Sequence, residues 1–119
     1  MRQMLRAKIH QAVVTGAELN YEGSITIDQK LMEAAGMLPY EKVMILNLSN
    51  GSRAETYVIQ GRRDSGEIIM NGAIARLVQI GDKIIILSFI GLEEQEAAHW
   101  KPTVVLVDNK NRAIRIIKD

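Results

Sequence analysis

A chain of 119 residues with 47% hydrophobic residues has the size of one domain with its own core. Its formal net charge is +1 and aromatic residues make up 4%, which disfavours coating of nucleic acid and stacking along single strands. Cysteine is absent, and the two histidines lie far apart, so we expect no metal centre. The longest aliphatic runs, 43–46 and 84–87, are too short to span a membrane. We therefore predict a cytoplasmic protein that binds neither membranes nor nucleic acid.

The N-terminal part of the chain predicts two strands. In the first strand, Gln11 interrupts an apolar face. That face is formed by residues of one parity, Leu5, Ala7, Ile9 and Val13. A second, shorter alternation covers 24–27. Both segments have the period-2 pattern of half-buried strands.

A short helix is predicted next. Asp28 is a typical N-cap, and Gly36 suits the left-handed position that follows a helix. Between them, the apolar residues 31, 32 and 35 share one helical face. We therefore expect one short helix here.

The rest of the chain predicts short strands separated by turns. Strands over 42–48 and 53–60 flank Asn50-Gly51, which is a strong hairpin signal. Further strands are predicted over 67–70, 83–90, 103–107 and 113–117, and short helical segments over 73–78 and 92–99. About seven strands in so short a chain favour a closed barrel, because closure removes exposed sheet edges.

The segment Asn20-Tyr21-Glu22-Gly23-Ser24 precedes the second strand and has two interpretations. The ordinary one is a turn, because glycine supplies freedom in φ. Alternatively, the serine hydroxyl attacks the preceding carbonyl, which glycine leaves unhindered, and converts the peptide bond to an ester. Elimination and hydrolysis would then replace the serine with an N-terminal pyruvoyl group. Spacing alone does not decide between them.

Arg53 and Tyr57 lie four residues apart on one predicted strand and therefore share a face. They are either an ordinary half-buried strand face or a carboxylate anchor beside a phenolic proton donor. Lys8 is a lone cation on the first strand. His10 and His99 lack a catalytic-triad pattern and are interpreted as structural.

Taken together, these segments resemble the bacterial aspartate 1-decarboxylases over most of the chain, from Met4 to about Val107. Each segment is weak alone, but their order and spacing make the match specific. The segments that carry it are Met4-Leu5, Lys8-Ile9-His10, Val14-Thr15, Leu19-Asn20-Tyr21-Glu22-Gly23-Ser24, Ile27-Asp28, Asn50-Gly51 with Arg53, Thr56-Tyr57, Asn71-Gly72-Ala73 and Gly81-Asp82-Lys83.

The resemblance implies a mainly β fold, a single double-psi β-barrel domain over 1–119 with a few short helices. It implies a homotetramer with active sites between subunits. It further implies a proenzyme that cleaves itself between Gly23 and Ser24 and then, as a lyase, converts L-aspartate to β-alanine and CO₂ for pantothenate biosynthesis. The cofactor would be a covalently bound pyruvoyl group derived from Ser24, which takes up aspartate as a Schiff base without a metal.

The resemblance also implies roles for individual residues. Tyr57 matches the proton donor, and Thr56 matches a residue that assists cleavage at Gly23 and Ser24 and contacts substrate. Lys8 and Arg53 match cations that face the substrate carboxylates. The remaining substrate-binding positions form one turn, Asn71, Gly72, Ala73 and Ile74.

Three features test this assignment. Thr56 and Tyr57 are adjacent, so a regular strand points them to opposite faces. Both can serve one site through a bulge, through the Thr56 backbone or at an interface between subunits, and we expect the interface.

Ile74 stands where the family usually has alanine. Its side chain either narrows the substrate pocket or packs into the barrel or an interface, and we favour packing. Gln11 and Asp64 also depart from the family pattern and bear on folding.

Two alternatives to the leading hypothesis remain open at this point. One is a non-enzymatic small β-barrel that serves as a binding module. The other is a decarboxylase for a different acidic amino acid. The joint presence of Gly23-Ser24, Arg53 and Tyr57 favours an enzyme, because a binding module does not need these residues.

Overall fold

A computed structural model describes residues 1–118 as a mainly β fold, with strands over 49% of the chain. The predicted fold class, with a few short helices, is confirmed. The elements are, in chain order, β1 (Arg2–Val13), β2 (Gly16–Glu18), β3 (Ile25–Asp28), α1 (Gln29–Ala35), β4 (Lys42–Asn47), β5 (Arg53–Gly61), β6 (Ile68–Asn71), a 3₁₀ helix (Gly72–Leu77), β7 (Lys83–Leu92), α2 (Glu94–Ala97), β8 (Thr103–Val107) and β9 (Ala113–Ile117).

The strands form one sheet in the order β2-β6-β3-β5-β4-β7-β1-β8-β9. Three neighbouring pairs, β2–β6, β3–β5 and β1–β8, are parallel, and the others are antiparallel. The ladder is not a closed ring, unlike the closed barrel expected from the strand count. The arrangement is nevertheless consistent with a double-psi β-barrel. Only Val14 and Thr15 separate β1 from β2, so the chain itself connects the β7–β1 side of the sheet to the β6 side.

A bulge at Gln11 reverses the buried face of β1. Gln11 has φ +65, and the register with β7 shifts between Ile9 and Ala12. The buried residues have odd numbers before the bulge and even numbers after it, because one inserted residue inverts the alternation. The expectation that Val13 shares the face of Ile9 was therefore wrong, and Val13 is only half-buried.

The predicted helix caps are confirmed at both ends of α1. The Asp28 carboxylate accepts a hydrogen bond from the Lys30 N–H at 2.9 Å, and Gly36 takes the left-handed conformation with φ +70. Asp28 is buried and also accepts from the N–H groups of Asp64 (2.8 Å) and Gly66 (2.9 Å). This carboxylate therefore joins the start of α1 to the turn before β6.

The hairpin predicted at Asn50-Gly51 is also present, with Leu46 opposite Arg53 across β4 and β5. The Gly51 N–H donates to the Asn47 carbonyl at 2.8 Å, and Gly51 has φ +74. The predicted helical segments are found as the 3₁₀ helix and α2, although α2 is shorter than expected. The three-residue strand β2 was not predicted.

The hydrophobic core is built from strands that include the two neighbours of the Gly23-Ser24 segment, β3 and β6. Aliphatic side chains from β1, β3, β6 and β7 are fully or almost fully buried there. The largest of them are Ile9, Ile25, Ile27, Ile68, Met70, Ile84 and Ile86. Burial of such side chains is the main stabilising contribution and keeps β3 and β6 in fixed register.

The Asn111 side chain stabilises the corner between β1 and β2 through hydrogen bonds. Its side chain is buried and its φ is +59, a conformation that asparagine tolerates better than most residues. The Asn111 Oδ1 accepts from the Val13 N–H at 2.7 Å. Its Nδ2 donates to the carbonyls of Val13 (2.8 Å) and Gly66 (2.9 Å). One side chain thus satisfies three backbone groups from two segments.

Asn111→Ala should lower the free energy of unfolding by about 3–5 kcal/mol, because it leaves buried backbone groups without their hydrogen-bond partner and places alanine at positive φ. Urea denaturation at fixed protein concentration measures this loss. Asn111→Gly is the matched control: it tolerates the positive φ and should recover only about 1 kcal/mol. An alanine variant that unfolds at the wild-type urea concentration would contradict this role.

Candidate active site

Gly23, which is half-buried, and Ser24 form a bend with an unusual backbone directly before β3. Gly23 has φ +122, and Ser24 has φ +98 although it carries a side chain. Ser24 is completely buried. A residue held in such a conformation is strained by roughly 1–3 kcal/mol, and only surrounding contacts can maintain it.

Asn71 supplies those contacts from the neighbouring strand. In the antiparallel pairing of β3 with β6, Ile25 lies opposite Met70, so Asn71 follows at the level of Ser24. The Asn71 N–H donates to the Ser24 carbonyl at 3.0 Å. Its Nδ2 donates to Ser24 Oγ at 3.0 Å and to Thr26 Oγ1 at 3.1 Å. Asn71 therefore fixes both the backbone and the hydroxyl of Ser24.

Gly72 brings a second backbone against the same turn. Its φ is +71. A Cβ atom there would lie 2.7 Å from the Gly23 nitrogen, 2.8 Å from the Gly23 Cα and 2.8 Å from the Tyr21 carbonyl oxygen. Real Cβ atoms do not approach backbone so closely, so the site requires glycine at position 72.

Tyr57 approaches the turn from the other side of β3. In the parallel pairing of β3 with β5, Ile25 lies beside Val58, which brings Tyr57 to the level of Ser24. Tyr57 is 37% exposed. It lines an open cavity of about 450 Å³, together with Asn20, Tyr21, Glu22, Tyr40 and Ile59. The structure therefore places this tyrosine beside the segment that leads into Gly23.

Thr56 and Tyr57 point to opposite faces, as their adjacency predicts. The pairing of β4 with β5 is regular from Arg53 to Tyr57, without a bulge. Thr56 is half-buried with the core-facing parity of Val58, whereas Tyr57 and Arg53 are on the exposed face. A bulge in this part of β5 does not reconcile Thr56 with Tyr57.

The two predicted cations are separated within one chain. Lys8 lies on β1 and Arg53 on β5, with β7 and β4 between them. One row across the sheet runs from Lys8 through Leu87 and Met44 to Glu55. Three strand spacings make this about 14 Å along the sheet. Neither cation forms an ion pair within residues 1–118, so both are available for an anion.

His10 lies two residues after Lys8 on the same strand. Burial, and then the Lys8 ammonium, lower the pKa of His10 below its ordinary value. Its Nδ1 atom is buried and has no hydrogen-bond partner among residues 1–118. Both effects favour the neutral form of the His10 ring.

Ile74 is buried within the hydrophobic core, whereas its neighbour Ala73 is exposed. The Ile74 side chain adjoins a small space that is also lined by Ile45, Ala54 and Met70. This is the packing placement that the sequence favoured. The substrate-binding role of the turn formed by Asn71, Gly72, Ala73 and Ile74 stays a prediction.

Comparison with known proteins decides the family. The sequence profile described as aspartate decarboxylase matches residues 1–114, nearly the entire chain. The chain belongs to the aspartate decarboxylase family. This confirms the resemblance drawn from the motifs, together with the predicted enzyme class, a carboxy-lyase.

Curated aspartate 1-decarboxylases from several organisms match this chain at similar identity. The aspartate 1-decarboxylase of Carboxydothermus hydrogenoformans is 56% identical over 113 residues, covering 95% of this chain and 89% of that protein. That of Clostridium beijerinckii is 59% identical over 108 residues, covering 91% and 87%. That of Neisseria meningitidis is 57% identical over 116 residues, covering 98% and 91%.

Two residues that lie next to the candidate active site of this aspartate decarboxylase were not predicted from the sequence. Thr26 receives a hydrogen bond from Asn71, and Tyr40 lies beside Tyr57 in the cavity. No motif in the sequence marks either residue. Tyr40 in particular lies in a loop that is far from Tyr57 along the chain. Their positions follow from strand pairing and loop geometry.

Two further findings concern residues 1–118 as a whole. None of the helices there has both the length and the apolar character to cross a membrane. The same residues contain no cluster of three or more histidine, aspartate or glutamate side chains arranged to hold a metal ion.

Ile74→Ala should lower stability without changing substrate preference, because the side chain packs in the core. Loss of three buried carbons should cost about 2–4 kcal/mol in the free energy of unfolding. The ratio of kcat/KM for aspartate to that for glutamate should stay unchanged. A changed ratio with unchanged stability would show instead that Ile74 faces the substrate.

Proposed function

We propose that this chain decarboxylates L-aspartate to β-alanine and CO₂, after cleaving itself between Gly23 and Ser24 to form a covalently bound pyruvoyl group from Ser24. The carrying observation is the buried Ser24 at φ +98, with its Oγ held by Asn71. The printed names of the relatives, aspartate 1-decarboxylase, support the substrate. β-Alanine formed in this way would serve pantothenate biosynthesis.

The first proposed step is a rearrangement of the scissile peptide bond. Ser24 Oγ attacks the Gly23 carbonyl carbon, the C–N bond breaks, and the hydroxyl proton passes to the leaving nitrogen. The result is an ester whose atoms balance those of the peptide. The positive φ of Ser24 destabilises the starting peptide by roughly 1–3 kcal/mol. Asn71 orients the hydroxyl.

The ester is then eliminated and hydrolysed. Loss of the Ser24 α-proton and of the Gly23 carboxylate leaves a dehydroalanine at the new N-terminus. Water converts this group to pyruvoyl and releases ammonia. We assign assistance in the cleavage to Thr56, which is half-buried on the core-facing side of β5.

The residues around Ser24 fit such a group. Ser24 is buried in the uncleaved chain, Asn71 offers N–H donors to it, and the glycine at 72 leaves room for a second backbone. When bound there, a pyruvoyl group supplies an electron sink for the electron pair left by departing CO₂. The chain's own residues bind the dicarboxylate, orient it and provide a proton.

Lys8 and Arg53 are the proposed partners of the two substrate carboxylates. Arg53 can grip one carboxylate through two parallel N–H donors. Because the strands of Lys8 and Arg53 are separated by β7 and β4, which is about 14 Å across the sheet, we propose that the site is completed between subunits of a homotetramer. In that arrangement, Tyr57 donates its phenolic proton to the carbon that has lost CO₂.

Arg53→Ala tests this assignment in purified, fully cleaved protein. One charge-assisted contact is worth about 1.5–3 kcal/mol, so kcat/KM for aspartate should fall about ten- to a hundredfold, mainly through a higher KM. Wild-type protein should release β-alanine and CO₂ in equal amounts and act weakly on glutamate. Absence of aspartate decarboxylation by the wild type would overturn the proposal, and preference for glutamate would change its substrate.

A further inference from the structure

Tyr40 holds a backbone conformation that tyrosine rarely adopts. Its φ is +71, in the loop between α1 and β4. Two hydrogen bonds close the turn that carries it. The Leu38 N–H donates to Glu41 Oε1 at 3.0 Å, and the Glu41 N–H donates to the Leu38 carbonyl at 3.2 Å. Such a conformation persists only where the surroundings determine it strongly.

Strand β5 fixes one side of this turn. The Tyr40 N–H donates to the Val58 carbonyl at 2.7 Å, and the Val58 N–H donates to the Glu41 carbonyl at 3.0 Å. These bonds hold the backbone of Tyr40 against the residue that follows Tyr57. The position of Tyr40 is therefore tied to that of the proposed proton donor.

Strand β1 fixes the other side. Arg6 Nη2 lies 2.6 Å from Glu41 Oε2, and each of the two side chains is only 21% exposed. Arg6 also donates to the Ala35 carbonyl at 3.2 Å, at the end of α1. The register of β1 shifts between Leu5 and Ala7, which is where Arg6 leaves the regular ladder. A half-buried ion pair thus secures the turn from behind.

The result of these anchors is an aromatic pair. The ring centroids of Tyr40 and Tyr57 lie 6.5 Å apart, and the ring planes are tilted by 31°. This separation lies within the range at which aromatic rings attract each other. No hydrogen bond holds the Tyr57 hydroxyl in the described part of the chain, so its orientation depends on packing, and the Tyr40 ring is one of the contacts that restrict it.

We propose that Tyr40 is a positioning residue for Tyr57, whose ring keeps the Tyr57 phenol directed into the cavity between them and the segment 20–22. The assignment rests on the proposed function. In that reaction the bond to the departing CO₂ breaks and its electron pair stays on carbon. The Tyr57 O–H proton forms the new C–H bond, and water restores the phenol. A small displacement of the donor slows such a transfer.

The test uses deuterium as a label for the proton that Tyr57 delivers. Fully cleaved protein turns over L-aspartate in D₂O, and the configuration of β-alanine at the carbon that lost CO₂ is determined. Tyr40→Asn removes the ring but suits a positive φ, whereas Tyr40→Phe keeps the ring. Intact mass gives the cleaved fraction of each variant, so that kcat refers to cleaved chains only.

We expect Tyr40→Asn to lower kcat about three- to tenfold with KM unchanged, to raise the solvent isotope effect on kcat, and to give both configurations of the labelled carbon. Tyr40→Phe should restore wild-type kcat and a single configuration. Adding Tyr40→Asn to Tyr57→Phe should cause no further loss, because both changes act on the same proton transfer.

Three results would overturn the assignment. The first is wild-type kcat and a single configuration in Tyr40→Asn. The second is an equal loss in Tyr40→Phe and Tyr40→Asn, which would separate the effect from the ring. The third is a wild-type protein that forms no β-alanine, and only this result would also overturn the proposed function.

Discussion

Ser24→Ala is expected to remain a single chain and to show no aspartate decarboxylation. The alanine retains the buried position but has no hydroxyl to attack the Gly23 carbonyl. Without cleavage no electron sink forms, so activity falls to the background of the assay rather than by a fixed factor. Denaturing electrophoresis and release of β-alanine from aspartate measure the two losses together.

Ser65→Ala is the matched control for this change. Ser65 also has a hydroxyl engaged in a hydrogen bond, at 2.6 Å to the Arg62 carbonyl, but it lies in a turn outside the site. The control should be cleaved and active like the wild type. Decarboxylation of aspartate by uncleaved Ser24→Ala protein would contradict the proposed origin of the cofactor.

Gly72→Ala is expected to stop cleavage or slow it by at least about a hundredfold. The added Cβ would meet backbone atoms of Gly23 and Tyr21 at 2.7–2.8 Å, so the scissile turn must move. The same change places alanine at φ +71, which costs about 1–2 kcal/mol. Moving the reacting atoms by about 1 Å accounts for a loss of this size.

Gly51→Ala separates these two effects. Gly51 has nearly the same backbone conformation, φ +74, but a Cβ there meets nothing within 4 Å. Both variants should lose stability from the positive φ, Gly72→Ala should lose more because of the backbone contact, and only Gly72→Ala should lose cleavage. Intact mass over time gives the cleavage rates, and urea denaturation gives the stabilities. Wild-type cleavage in Gly72→Ala would show that this contact does not shape the turn.

Features set by local chemistry were predictable from the sequence. The Asn50-Gly51 turn and the caps of α1 at Asp28 and Gly36 depend on a few neighbouring residues. Their side chains select the backbone conformation directly, through positive φ in glycine and a short polar acceptor at the N-cap. Most strand boundaries followed from alternation in the same way.

Features set by distant contacts were not predictable in this way. The sequence shows Gln11 as an interruption of the apolar face, but not that a bulge there inverts the buried face of β1. Strand β2 has no apolar alternation and exists because it pairs with β6. The open ladder likewise depends on which strands meet, which a count of strands does not determine.

The candidate site likewise has a part that the sequence predicts and a part that only the fold determines. Ser24, Asn71 and Tyr57 were predicted through the order and spacing of motifs that match the family. Their relative placement depends on β3, which lies between β6 and β5 and brings both neighbours to the scissile turn. Tyr40 reaches Tyr57 through backbone hydrogen bonds to Val58 and through the Arg6–Glu41 ion pair behind the turn, neither of which is visible in the sequence.

Intact mass of the purified wild-type protein after prolonged warm incubation tests the central proposal most directly. We expect two pieces, residues 1–23 and a remainder of 96 residues, with the larger lacking a free amine. The larger piece should be lighter by one ammonia than the product of simple hydrolysis, and aspartate decarboxylation should rise in step with it. A chain that stays at full length while it decarboxylates aspartate at full rate would contradict the account.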